Sequence, residues 1–146
     1  MEGFELSIMI NRPIEEAFGF LSNLENDIKW RSEWVETTNT SGGALGVGAT
    51  FSLVGEFLGR RETNIYEMIE YEPNRSAAWK AVSGPLPLIF QRTFERVEGG
   101  TQVTIRYEAE IRGFFKLIKP LVVSAGKRAL QGDFPKLKEL MEARAL

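Results

Sequence analysis

Two side-chain types that carry most acid–base and metal chemistry near neutral pH are missing from this sequence: it has no histidine and no cysteine. Without cysteine there is no disulfide, no thiol nucleophile and no thiolate metal site. Without histidine the commonest metal ligand and the commonest general base are gone. Zinc hydrolysis, Ser-His-Asp and Cys-His catalysis are excluded, and nothing in the chain calls for a metal or another cofactor. Any reaction would have to run on Asp, Glu, Tyr, Lys or Arg. Arg92 is the most suggestive of these, because it lies in strand phase between Phe90 and Phe94. It shares their side of the strand unless a bulge turns it to solvent. Pointed inward, its guanidinium must be paired with a carboxylate of the protein or of a ligand, since an unpaired buried charge is costly. Glu62 and Asn64 share strand phase with Tyr66 and Met68. Tyr66 and Tyr107 could donate hydrogen bonds inside an apolar site, although a tyrosine hydroxyl often just reaches solvent or a backbone carbonyl. No paired acid–base motif compels a catalytic role, and none is assigned.

The elements that must position these residues follow from periodicity. Phe4, Leu6, Ile8 and Ile10 alternate with Glu5, Ser7 and Met9, which predicts a half-buried strand. Pro13 with Glu15 and Glu16 starts a helix whose apolar face is Ile14, Ala17, Phe18 and Leu21. A second short helix is expected over 24–31. Strands are then predicted over 34–40, 49–58, 60–71, 76–82, 88–97 and 101–112. They are separated by a glycine-rich loop (41–48), Gly59, a Glu72–Arg75 turn, a loop at 83–87 and a Glu98-Gly99-Gly100 hairpin. The glycine-rich loop has no following Lys-Ser/Thr and leads into a strand, so it is not read as a phosphate loop. Short connections imply antiparallel neighbours. From Gly113 the period becomes helical, with Leu117/Ile118, Leu121/Val122, Ala125 and Ala129 on one face, continued by Leu130, Phe134, Leu137 and Leu140/Met141. Pro120 is expected to break this helix and Pro135 to kink it.

This is an α+β order: one strand, two short helices, six strands, one long helix. Only the last helix can cover the apolar face of such a sheet, so the sheet must curl round it. The inward set is then Phe51, Leu53, Tyr66, Met68, Trp79, Phe90, Phe94, Val103, Ile105 and Tyr107, with Trp30, Phe114, Leu121, Ala125 and Ala129 from the helices. Two readings of Ala125, Gly126 and Ala129 stay open: small side chains that leave volume unfilled, or close packing of helix on sheet. Trp30 and Trp34 either anchor the short-helix region or form a lid, with anchoring the default for large aromatics.

At 146 residues, 43% hydrophobic and 26% charged, the chain is one ordinary globular domain spanning 1–146. A net charge of −2 argues against an electrostatic nucleic-acid binder. The basic run of the last helix reads as a solvated face, or else as a contact for an acidic partner. No apolar run reaches the ~20 residues of a membrane span, and the N-terminus lacks the pattern of a secretory signal, so a cytoplasmic location is expected.

Six ordered stretches resemble the polyketide cyclase/dehydrase branch of the START-like superfamily. They are Ile10–Phe18 (INRPIEEAF), Leu24–Trp30 (LENDIKW), Leu45–Gly48 (LGVG), Tyr66–Pro73 (YEMIEYEP), Phe94–Thr104 (FERVEGGTQVT) and Leu137-Lys138. Together they span essentially the whole chain. The resemblance implies a helix-grip fold, a seven-stranded antiparallel sheet wrapped round the C-terminal helix with an apolar cavity between. Its candidate lining is Trp30, Phe51, Leu53, Tyr66, Met68, Trp79, Phe90, Arg92, Tyr107, Leu121, Ala125 and Ala129. With no histidine or cysteine, the leading expectation is a monomer or homodimer that carries or senses a small apolar molecule. Two alternatives stay open. One is a metal-free cyclase/dehydratase using Arg92 with Tyr66, Tyr107 or Glu62. The other is a protein-interaction module using the basic helix and the Gly84–Leu88 loop.

Overall fold

A computed structural model of the chain describes residues 2–57, 59–83, 87–109 and 119–143. Strand β1 (Glu2–Ile10) is followed by helix α1 (Ile14–Leu21) and a 3-10 helix (Leu24–Lys29). Strands β2 (Trp34–Asn39), β3 (Thr50–Phe57), β4 (Arg60–Glu72), β5 (Ser76–Ser83), β6 (Leu88–Val97) and β7 (Gly100–Ala109) come next, and helix α2 (Lys119–Glu142) ends the described chain. All seven strands form one antiparallel sheet in the order β1-β7-β6-β5-β4-β3-β2. Every hairpin joins sequence neighbours; only β1 is placed non-locally, against β7.

The sheet is curled, and its bulges contribute to that bend. Val35, Ile69 and Val82 are each an extra residue in the register of β2, β4 and β5. Such insertions increase local twist and bend the strand. They also push apolar side chains outward: these three residues are between 37% and 48% exposed. The Ile69 bulge changes strand phase, so that Tyr66 and Met68 point inward and then Tyr71, not Glu70, packs on the core.

α1 begins after Pro13, with Glu15 and Glu16 in its first turn, and buries Ile14, Ala17, Phe18, Phe20 and Leu21. The Phe18 ring meets Phe94 of β6 at 5.2 Å and Tyr71 of β4 at 5.5 Å. α2 buries Val122, Leu130, Asp133, Leu137 and Met141 and packs on β1. At Gly126 the packing is close: a Cβ there would lie 3.1 Å from the Phe4 ring. At this position the small residue lets helix and sheet approach rather than leaving volume. α2 runs through Pro135 without interruption. The expected break at Pro120 falls at the edge of the described residues, which resume at Lys119. The predicted helical residues 113–118, including Phe114, and the end of the seventh strand lie outside the described residues.

Candidate functional site

The register aligns a row of aromatic side chains across the inner face. Trp79, Phe90, Tyr107 and Phe4 are successive cross-strand partners on β5, β6, β7 and β1. Their rings stack at 4.9, 5.2 and 5.3 Å, and Tyr66 of β4 meets Phe90 edge-on at 5.3 Å. The next inward row places Arg92 between Ala77 and Ile105. β6 is paired to β7 without a break, so no bulge turns Arg92 outward, and it is 0% exposed.

Arg92 is paired by the protein itself. Its Nη1 and Nη2 donate to the two Asp27 carboxylate oxygens at 2.9 and 2.6 Å, and Nη1 also donates to the Leu21 carbonyl at 2.9 Å. Trp30, Trp79 and Phe90 surround the guanidinium at 5.4–5.6 Å. Burial works against its charge, but Asp27 outweighs it and the pKa rises. The 3-10 helix positions Asp27 for this: Asn23 caps its start and Trp30 and Arg31 close its end with backbone bonds to the Asp27 carbonyl.

A second buried guanidinium follows at Arg31, 2% exposed. Its Nε donates to Asp133 of α2 at 3.0 Å, its Nη1 to the Tyr107 hydroxyl at 2.6 Å, and its Nη2 to Glu33. The Ser32 amide also donates to Asp133, at 3.1 Å. Arg31 therefore links the end of the 3-10 helix to both the sheet and the C-terminal helix. Burial pushes the Glu33 carboxyl above its ordinary range; Arg31 opposes this, while Asp133 and Asp27 add to it. Burial, with Tyr107 and Glu33 nearby, likewise pushes the Tyr66 hydroxyl up, so it stays a donor at neutral pH.

Several donors around this cluster have no acceptor. The indole N–H groups of Trp30, Trp34 and Trp79 and the Arg92 Nε are buried and unbonded among the described residues. Tyr66, 3% exposed, lies beside them on the inner face. Buried polar groups in native domains are nearly always bonded.

The expected lining residues divide as follows. Trp30, Phe51, Leu53, Tyr66, Met68, Trp79, Phe90 and Arg92 are all buried on the inner side, and Tyr107 is half-buried there. Ala125 and Ala129 are half-buried on α2. Leu121 departs from its expected inward position and is 67% exposed. The inward stripe of α2 runs through Val122, Leu130, Asp133, Leu137 and Met141, so Leu121 sits one residue, about 100°, off it. Glu62 and Asn64 are half-buried, and Glu62 lies 3.5 Å from the exposed Arg60. Sequence reading missed Asp27, Arg31, Glu33 and Asp133 as a group. For Asp133 the signal was present, since it falls three residues after Leu130 and four before Leu137 on one helical face.

Comparison with known proteins places these features in context. The family model described as polyketide cyclase/dehydrase and lipid transport matches residues 1–142. Protein TTHA0849 from Thermus thermophilus has a similar structure: TM-score 0.84 at 16% identity, over 99% of this chain and all of that one. A START superfamily protein from Mycobacterium smegmatis superposes with TM-score 0.79 at 14% identity, over 97% of each chain. The di-domain ARO/CYC protein StfQ from the steffimycin biosynthetic pathway matches with TM-score 0.79 at 13% identity, over 98% of this chain and 52% of that one. No curated protein matches the sequence. The matched family model covers nearly the whole chain, and the helix-grip architecture agrees with it: the protein belongs to the polyketide cyclase/dehydrase and lipid transport family.

Proposed function

We propose that the protein binds a small hydrophobic molecule between the inner face of the sheet and the C-terminal helix. The observation that carries this reading is the set of orphaned donors inside an aromatic wall. Trp79, Phe90 and Tyr107 offer stacked apolar faces, while the Trp30 and Trp79 indoles hold N–H groups without acceptors. Ligand sites are built this way, mostly apolar with a few convergent polar groups. The pairing of Arg92 with Asp27 meets its charge within the protein and makes it a support for the wall.

The test is native mass spectrometry of the protein as purified, with Nile red titration of the same sample. A co-purifying apolar molecule or a saturable rise in dye fluorescence is expected. Trp79→Ala or Phe90→Ala should weaken the dye by more than about tenfold, the loss of a large buried aromatic contact. An empty protein that leaves the dye unaffected overturns the reading.

One observation favours a second reading, an enzyme of the cyclase/dehydratase type. Glu33, held toward its protonated form, shares a cluster with Tyr66 and Tyr107. This is a proton-handling set that needs no histidine. Glu33 and Tyr66, not Arg92, are then the residues whose substitution by Gln and Phe abolishes turnover of a polyketide-like substrate.

A further inference from the structure

The charges buried beside the aromatic wall do not balance. Three carboxylates, Asp27, Glu33 and Asp133, face two guanidiniums, Arg31 and Arg92. They act as one group: Arg31 feels Asp27 as well as its own partners, and Arg92 feels Arg31. With Glu33 ionised the cluster carries one excess negative charge; with Glu33 protonated it is neutral. In neither state do these five side chains hold positive charge to spare. The buried unbonded donors near it are the neutral indoles of Trp30, Trp34 and Trp79 and the Nε–H of Arg92, whose charge Asp27 already balances. Tyr107 uses its oxygen to accept from Arg31, which leaves its hydroxyl hydrogen to be donated.

From this geometry, and resting on the ligand-binding reading above, we infer that the site selects uncharged ligands with a ketone, phenol or alcohol oxygen and rejects carboxylates. A neutral oxygen takes hydrogen bonds from Tyr66, Tyr107 or an indole at no electrostatic cost. A fatty acid or other carboxylate brings a further anion beside Glu33 and Asp133, out of water, where like charges repel strongly. The ligand class is therefore one of neutral apolar molecules with a hydroxyl or carbonyl oxygen, rather than free fatty acids.

The experiment is a competition with a matched pair of ligands. Full-length protein is loaded with neutral Nile red near neutral pH. The dye is displaced with dodecan-1-ol or with dodecanoate, which differ only in the head group, and then with a neutral aromatic ketone. The alcohol and the ketone are expected to compete, and dodecanoate to compete at least about tenfold more weakly. Glu33→Gln removes the excess charge with little change of shape. It should narrow the gap between acid and alcohol, and Asp133→Asn should do the same if Glu33→Gln is poorly folded. Equal competition by acid and alcohol in the wild-type protein overturns the inference while leaving the binding reading standing. So does a gap that neither variant narrows. Failure of the dye itself to bind overturns both.

Discussion

Glu33 is the residue at which burial and charge disagree most. It keeps one partner, Arg31, yet sits near two other carboxylates and is largely removed from water. Its folded pKa is raised above the ordinary 4.5. A raised carboxyl binds its proton more tightly in the folded state than in the unfolded one. Its contribution is therefore fully present below the unfolded value and is lost as pH rises through the higher folded value. Glu33→Gln cannot ionise. Its melting temperature relative to wild type should rise as the pH is taken from about 4 to about 8, measured by thermal unfolding across that series. A difference that stays flat would show that Glu33 titrates as an ordinary surface carboxylate.

At the scale of elements, β2 and β3 show how one glycine fixes an aromatic. Gly55 pairs with Trp34 beside the Val35 bulge. A Cβ at Gly55 would lie 2.6 Å from two Trp34 ring carbons and 3.2 Å from the Glu33 carbonyl oxygen. The glycine is thus required by the indole lying across it, not by backbone conformation. Gly55→Val should force Trp34 out of place and destabilise the fold by about 1–3 kcal/mol, read by urea denaturation. Because Trp34 follows Glu33, Nile red binding should weaken as well. The helices make a complementary point. α2 is uninterrupted at Pro135, where the sequence suggests a kink; Pro135 itself is exposed, and Leu137 and Met141 beyond it are fully buried. Burial of those side chains holds the last turns in place against a local cost of about 3 kcal/mol.

For the whole molecule, two buried ion pairs tie separate layers together. Arg92–Asp27 joins a central strand to the 3-10 helix, and Arg31–Asp133 joins the end of that helix to α2. A buried pair need not add net stability, but losing one partner leaves the other charged and unpaired. Arg92→Met alone should cost about 3–5 kcal/mol, and Arg92→Met with Asp27→Leu should recover most of that loss. Chemical denaturation of the three proteins checks it; equal losses in the single and double variants would mean the pair itself stabilises the fold.

Much of this architecture was legible in the chain. Alternation, β-branched composition and turn signals placed all seven strands, and the short connections made β2 to β7 antiparallel neighbours; the pairing of β1 with β7 came from the tertiary structure. The inward phase of Phe51, Leu53, Tyr66, Met68, Trp79 and Phe90 followed from the same period of two. Such patterns are local: a strand's faces are set by its own residues, whatever lies beyond them. The absence of histidine and cysteine likewise settled which chemistries the protein does without. The tertiary structure alone also decided the charge cluster. Asp27 and Arg92 are 65 residues apart and Arg31 and Asp133 are 102 apart. No local period distinguishes a carboxylate destined for a buried partner from one left in water. Only the curl of the sheet, bent at Val35, Ile69 and Val82, and the seating of α2 on β1 bring these groups together. The pairing of Arg92, the raised pKa of Glu33 and the exposure of Leu121 all follow from that long-range placement.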